Sequence, residues 1–376
     1  MPVEPELARR LAALGPVDVA TLFELASVDP ATGSYQRDPG AVFGAGGDFV
    51  TAPEISQTFG ELLGLTLADA WQRAGGSNPA ALVELGPGRG TLLADAWRAV
   101  RRLDGLQRAW SVHLVERSQR LRDLQARTLA ELRPAWHAGL ETLPADRPWF
   151  CIANEFLDAL PVHQLERTAA DWAERRVAVD DAGVAAWHLA PAPAALAAAV
   201  AQRFPDAAPG AVVEWAPARI AVVAAVAQRI VERGGLALFV DYGGVATAPR
   251  DTLQAVSRHR SVPVLDHLGA ADLSSAVDFA PLAAAATAVG AAAFGPVPQA
   301  RVLRDLGIEL RALKLVERRR GEARADVLAG VRRLLDPRAM GEAFKVLAIA
   351  PAGAGVPAGF VAEDRWPTDR GGEDRP

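Results

Sequence analysis

Glu84-Leu85-Gly86-Pro87-Gly88-Arg89-Gly90-Thr91 follows a short apolar run, Ala80 to Leu85, and opens an amphipathic stretch that reaches Leu103. Glycines at alternate positions suit a chain that turns sharply and lets a ligand approach its backbone. A dinucleotide fingerprint would read G-x-G-x-x-G. Here Thr91 holds that last position, and the third glycine arrives one residue early, at Gly90. Glu84, just before the first glycine, is also unusual beside a nicotinamide. Taken alone, the glycines leave a purely structural strand-to-helix turn open. A second apolar run, Val112 to Val115, ends in Glu116, an acid placed to hold two ribose hydroxyls. Glycine spacing and Glu116 together favour S-adenosylmethionine over NAD, with the amino-acid part of the ligand along the turn.

Outward from this turn, strand and helix alternate. Leu92, Leu93, Ala96, Trp97 and Val100 share one face of the helix after the glycines. Ser118 caps a helix carrying Leu121, Leu124 and Leu132; a weak strand near Trp136 and a strong one from Trp149 to Ala153 follow. The segment Ala216 to Arg233 reads as a helix, Leu236 to Val240 as a buried strand, and Phe344 to Ile349 as the last strand. Such alternation predicts an α/β, Rossmann-like core with a mostly parallel sheet and right-handed crossovers. We assign 77–161 and 212–249 to the core, completed by 341–362. Residues 1–76 form a mainly helical N-terminal region and 162–211 an inserted β element. Residues 250–340 form a helical acceptor-side region, with the alanine-rich 280–294 segment as a packed helix. Residues 363–376, polar and rich in Pro and Gly, read as a disordered tail.

Within the N-terminal region, Asp18 to Ala26 reads as a short amphipathic helix. The glycine-rich stretch Gly44 to Asp48 leads into Thr51-Ala52-Pro53-Glu54. That tetrad has the form of a capping box, Thr51 capping a helix to about Trp71 and Glu54 reaching back.

The formal charge of −5, with no long run of one sign, lacks the basic stripe of a nucleic-acid binder. No stretch of about 18 apolar residues marks a membrane span. The single cysteine, Cys151, lies in the apolar run Trp149 to Ala153 and reads as a small buried hydrophobe. The six histidines lack metal-ligand spacing, so no metal is expected. Met1 to Leu7 carries acids and prolines where a signal peptide places basic and then apolar residues, so the cytoplasm is the expected compartment. A homodimer stays open, with 162–190 and 250–340 as candidate faces.

Asn154-Glu155-Phe156-Leu157-Asp158-Ala159-Leu160-Pro161 follows the strong strand, at the end that faces the ligand crevice of an open α/β sheet. In a helical turn, Glu155 and Asp158 would share a face. Methyl transfer is an in-line displacement, so the protein's task is alignment and preparation of a nucleophile. Paired acids suit arginine, whose planar fork binds carboxylates and does not deprotonate freely. The amide of Asn154 would orient an acceptor N–H. Asp241 and Tyr242, after the next strand, suit either this pocket or a turn.

Six segments resemble the MidA family of class I methyltransferases: GDFVTAPEISQTFGELLG (47–64), VELGPGRGTLLADAWR (83–98), ANEFLDALPV (153–162), DTLQAV (251–256), ADLSSAVDF (271–279) and FKVLAI (344–349). The resemblance spans about Asp18 to Ala350. It implies a seven-stranded sheet whose last strand is antiparallel, S-adenosyl-L-methionine as cofactor and a protein substrate methylated on arginine. It places Glu84, Gly86, Pro87, Gly88, Gly90, Thr91 and Glu116 at the cofactor, with Glu54 and Ser56 closing over it. Asn154, Glu155 and Asp158 face the acceptor. The chain departs from the family pattern at Val213-Glu214-Trp215-Ala216-Pro217, where V-E-I-S-P is usual. It departs again at Asp272-Leu273-Ser274-Ser275-Ala276-Val277-Asp278-Phe279, which lacks the usual histidine. Both lie on the acceptor side, and they motivate an alternative function: an assembly factor that binds S-adenosylmethionine and acts through a partner protein.

Overall fold

The apolar runs around the glycine turn lack the alternation of a sheet open to water on one face, so helices must cover both faces. The computed structural model, which describes residues 3–29, 31–36, 50–257, 259–317 and 319–367, shows this arrangement. Its central sheet contains β1 (Ala80–Leu85), β2 (Trp110–Val115), β3 (Ala135–His137), β4 (Trp149–Asn154), β5 (Gly235–Gly244), β6 (Ala291–Pro298) and β7 (Phe344–Pro351). Across the sheet the order is β3-β2-β1-β4-β5-β7-β6. The first five strands are parallel, and β7 is antiparallel to both β5 and β6. An eighth, two-residue strand, Val277–Asp278, pairs in parallel with the end of β5 at Gly243 and Gly244. The sheet is therefore eight-stranded and mixed, where seven strands were expected. Gly243 permits the extra pairing, because a Cβ there would lie 2.1 Å from the Val277 carbonyl oxygen.

Successive side chains of a strand point to opposite faces, and β4 divides accordingly. Phe150 and Ile152 join Phe59, Leu63, Leu92 and Leu93 on one side. Trp149, Cys151 and Ala153 join Val223, Val226, Ile230, Phe279 and Leu282 on the other. The helices Gln57–Arg73 and Thr91–Val100 thus cover one face, and Pro217–Arg233 and Phe279–Ala288 the other.

The first two of these helices cross through glycine. A Cβ on Gly60 would lie 2.7 Å from the Leu92 carbonyl oxygen, and one on Gly64 would lie 2.7 Å from Ala96 Cα. Since Thr91–Val100 begins at the glycine turn, this close crossing fixes where the turn sits. Gly64→Val is expected to destabilise the protein by about 1–3 kcal/mol, the usual cost of overpacking a filled contact. Urea unfolding would measure it, and unchanged stability would mean that the crossing is looser than described.

Several sequence expectations are corrected. The helix expected from Thr51 to about Trp71 is two helices, Ala52–Ile55 and Gln57–Arg73, because Ser56 is extended (φ −156°) and begins the second. The helix read through 280–294 stops at Ala288, and β6 follows Gly290, whose φ is +91°. A run of alanines carries no period that distinguishes buried strand from buried helix. The region 250–340 also opens with a three-stranded sheet, Gln254–Ser257, Arg260–Val262 and Asp272–Ser274, rather than helix. The start of the expected tail is ordered: Arg365 bridges to Phe294, and the Trp366 amide donates to the Ala293 carbonyl at 2.8 Å. Residues 368–376 and the glycine-rich stretch Gly44 to Asp48 lie outside the described residues.

The inserted element is a five-stranded sheet of His163–Arg167, Trp172–Val179, Ala185–Pro191 and Val212–Trp215 together with Val17–Asp18 from the N-terminal region. Leu7, Leu11, Leu22 and Phe23 pack with Val162, Val177 and Leu273. Residues 3–28 therefore belong with the insertion, whereas 52–73 belongs with the core. No helix among the described residues is long and apolar enough to cross a membrane.

Candidate active site

The chain order reverses between β1 and β4, which opens a crevice beyond their carboxyl ends. The glycine turn forms one wall. Gly86, Gly88 and Gly90 have φ of +63°, +51° and +81°, values that side chains other than glycine adopt reluctantly. A Cβ on Gly86 would also lie 2.7 Å from Phe156 Cδ2. The buried Gln125 amide braces the turn: its Nε2 donates to the Gly88 carbonyl at 2.8 Å and to Glu116 Oε2 at 3.3 Å. Its Oε1 accepts from Trp136 Nε1 at 2.9 Å.

These elements enclose a cavity of about 490 Å³, within the usual range for a small-molecule site. Glu54, Glu84, Gly86, Pro87, Gly88, Thr91, Glu116, Asn154 and Glu155 all line it, with Tyr35 and Phe156. Three expected site residues do not. Gly90 starts the helix Thr91–Val100 in left-handed conformation, so its glycine serves the chain's own turn. Ser56 is committed to the helix Gln57–Arg73, its Oγ sharing a hydrogen bond with Thr58 Oγ1 at 2.8 Å. Asp158 belongs to a tight turn rather than a helix, so the shared face with Glu155 does not form. The capping box is also absent. Thr51 makes no side-chain cap, and Glu54 instead pairs with Arg89 of the glycine turn at 3.3 Å.

Two acceptors on this wall have no partner among the described residues. Glu84 is 3% exposed and its Oε2 is buried and unbonded; Asn154 Oδ1 is likewise. Unmet buried acceptors at a crevice fit a ligand that brings donors, such as the ammonium of an amino acid. Burial pushes the Glu84 carboxyl up to about 8. Its folded value thus exceeds its ordinary 4.5, so its contribution to stability is complete below about 4.5 and lost as pH rises through about 8. Glu84→Gln removes this loss. Without ligand, the variant's melting temperature is expected to gain on the natural protein's as pH rises from 5 to 9, by roughly 2 °C per kcal/mol recovered. A gap that stays constant with pH would contradict the unpaired carboxyl.

Glu116 closes the far side. Its Oε1 accepts from the Ser118 amide at 2.8 Å, and burial raises its carboxyl above the ordinary value. Ser118 Oγ donates to the Tyr35 carbonyl at 3.0 Å, which brings Tyr35 over the cavity.

The wall formed by the turn after β4 is acidic. Glu155 has a φ of +50°, a strained conformation for a non-glycine residue and one concentrated at functional sites. Its Oε1 accepts from the Ala52 amide at 2.9 Å and from Asn154 Nδ2 at 3.2 Å. Oε2 receives no donor from the described residues. Burial pushes this carboxyl up to about 7, with the nearby Asp158 charge adding to the rise. Asp158 is raised to about 6 by burial, against the pull of Arg219. The hydroxyl of Tyr35, also pushed up by burial, bonds Asp272 and lies near Asp158. Sequence reading missed Tyr35, Asp272 and Arg219. The only trace of Arg219 was a cation in the first turn of the helix Pro217–Arg233, ahead of the apolar run Ile220 to Ala227. Asp241, left between pocket and turn by the sequence, serves the turn: its carboxylate accepts from the amides of Leu157, Asp158 and Tyr242. No group of His, Cys, Asp or Glu among the described residues is arranged to hold a metal ion.

Residues 62–297 match the family described as "Putative S-adenosyl-L-methionine-dependent methyltransferase". The chain is 36% identical to "Protein arginine methyltransferase NDUFAF7, mitochondrial" of Mus musculus, over 93% of this chain and 84% of the mouse protein. It is 34% identical to the Homo sapiens protein of the same name, over the same shares. Among solved structures, a "likely methyl transferase" from Burkholderia thailandensis, bound to S-adenosyl-homocysteine, superposes with a TM-score of 0.83 at 30% identity. That match covers 96% of this chain and 95% of the other.

Proposed function

Because the chain belongs to the MidA family and is an S-adenosyl-L-methionine-dependent methyltransferase, we propose that it methylates arginine side chains of a protein substrate. The observation that carries the proposal is the acidic wall beside the glycine turn, above all Glu155, whose Oε2 is left for a ligand beside the cavity. The mouse and human relatives, named as protein arginine methyltransferases, support the same acceptor. In this reading β1 to β7 form the seven-stranded class I core, and the strand Val277–Asp278 is an addition on its acceptor side.

Bound S-adenosylmethionine supplies an electrophilic methyl group on a sulfonium. The residues fitted to hold it are Gly86, Pro87, Gly88 and Thr91 along the turn, Glu84 and Asn154 with their unmet acceptors, and Glu116 at the ribose end. Glu54, tied to Arg89, closes the rim. Glu155 takes the guanidinium, whose fixed fork matches a carboxylate. Ionised Glu155 draws the guanidinium charge toward one nitrogen and accepts the proton released there. Asp158 and Asp272 supply further negative charge, which disfavours acceptors that are themselves acidic.

A protein that only binds the cofactor and acts through a partner is the weaker reading. Such a scaffold has no use for a buried, strained carboxylate held by two donors beside the glycine turn. We place the reaction in the cytoplasm; the lone Cys151 is buried, so the fold needs no oxidising compartment.

The test is transfer of tritiated methyl from S-adenosylmethionine, by purified protein, to lysate of a strain lacking the gene, followed by acid hydrolysis. Label is expected in methylarginine. Label confined to other residues would overturn the arginine assignment.

A further inference from the structure

We propose that Arg219 and Asp241 form a positioning pair that holds the acceptor turn, Glu155 to Pro161, in the conformation that presents Glu155 to its substrate. The turn leaves β4 without regular secondary structure, so its backbone groups must be satisfied from outside. Asp241 takes the donors on one side. Its Oδ2 accepts from the Leu157 amide at 2.9 Å and the Asp158 amide at 3.2 Å. Arg219 takes the acceptors on the other. Its Nη2 donates to the carbonyls of Asp158 at 3.0 Å and Leu160 at 3.4 Å, and to Ser275 Oγ at 2.7 Å. Nη1 donates to the Ala276 carbonyl at 3.1 Å. The loop carrying Ser275 adds its own amide, which donates to the Asp158 carbonyl at 3.2 Å.

Both side chains are deeply buried, Asp241 at 1% and Arg219 at 3% exposure, and burial pushes the Asp241 carboxyl up, against the pull of Arg219. Each projects from a rigid element, β5 or the helix Pro217–Arg233, and rigid supports fix a site better than loops do. Glu155 itself sits at φ +50°, which persists only when neighbours over-determine it. Its amide is held by the Val240 carbonyl at 2.9 Å, one residue before Asp241. Neither Arg219 nor Asp241 lines the cofactor cavity, so the pair acts through the turn. On its other side Arg219 borders a separate cavity of about 50 Å³, lined also by Ala216 and Ala276, where the chain departs from its family's pattern. Small side chains there leave the guanidinium as the main prop of the turn from that direction.

The inference rests on the methyltransfer reading above, and its test separates the two. Arg219→Met, Arg219→Lys and Asp241→Leu are made in the full chain. The readouts are S-adenosylhomocysteine affinity by calorimetry, hydrogen exchange of the 155–161 peptide, and tritium transfer to the deletion-strain lysate. Arg219→Met and Asp241→Leu, which has no acceptor for the two amides, are expected to leave affinity unchanged while the Leu157 and Asp158 amides exchange at least about tenfold faster. Transfer is expected to fall by about tenfold or more. Arg219→Lys, with the charge but not the fork, should recover part of both. If Arg219→Met fails to fold, Asp241→Leu, close in shape to aspartate, decides. The proposal is overturned if exchange of the turn is unchanged, or if affinity falls in step with transfer, which would make the pair merely structural. If the natural protein labels no arginine, the acceptor assignment fails, while the exchange measurement still decides the positioning role.

Discussion

Gly88→Val is expected to abolish cofactor binding, weakening affinity for S-adenosylmethionine by on the order of 100-fold or more, or about 3 kcal/mol. Two effects act in the same direction. Gly88 has a φ of +51°, where a β-branched residue is strained by about 1–2 kcal/mol or more. It also lines the cavity directly, so the valine side chain occupies space the ligand needs. Alanine separates the two, since it bears the backbone strain with little of the volume. Gly88→Ala should therefore bind with intermediate affinity and melt close to Gly88→Val. Titration calorimetry with S-adenosylhomocysteine measures both variants. Affinity within a few-fold of the natural protein for Gly88→Val would remove the turn from the cofactor site.

Glu155→Gln is expected to behave in the opposite way, keeping cofactor affinity and losing transfer by about 100-fold or more, the range for a group that handles a reacting proton. Glutamine retains a carbonyl oxygen that can accept from the Ala52 amide and the Asn154 side chain. It cannot draw the guanidinium charge or take its proton. Because burial holds the Glu155 carboxyl near 7, transfer by the natural enzyme should rise with pH through that value as the carboxylate forms. The glutamine variant should lack this limb. Radiolabel transfer between pH 6 and 9 checks both effects, and a variant with the natural rate and profile would take Glu155 out of the chemistry.

The contrast between these variants follows the division between what the sequence made legible and what only the fold reveals. β1, β2 and β4 are short, largely apolar runs followed by glycine or acid. The positions of Gly86, Gly88, Glu116, Asn154 and Glu155 at strand ends could therefore be read along the chain. β6 could not, because Ala291, Ala292 and Ala293 favour neither a helical nor an extended period. Ser56, which the family resemblance puts at the cofactor, caps the helix that begins after the break at Ile55 and does not line the cavity. Asp158 was misread because the segment after β4 is a turn gathered by Asp241, 83 residues away in sequence. Arg219 was invisible for the same reason: its partners lie at 158, 160, 275 and 276, and no local spacing joins them. The residues proposed to hold the cofactor lie in short segments that can be read locally, whereas the proposed acceptor side is assembled from distant ones.

The most direct test of the central claim is quantitative mass spectrometry of methylarginine peptides in the source organism. It compares cells with the gene, cells without it, and deleted cells re-supplied with either the natural enzyme or Glu155→Gln. At least one methylarginine site should vanish on deletion, return with the natural enzyme, and stay absent with Glu155→Gln. Persistence of every methylarginine in the deleted cells, or full restoration by Glu155→Gln, would contradict the account.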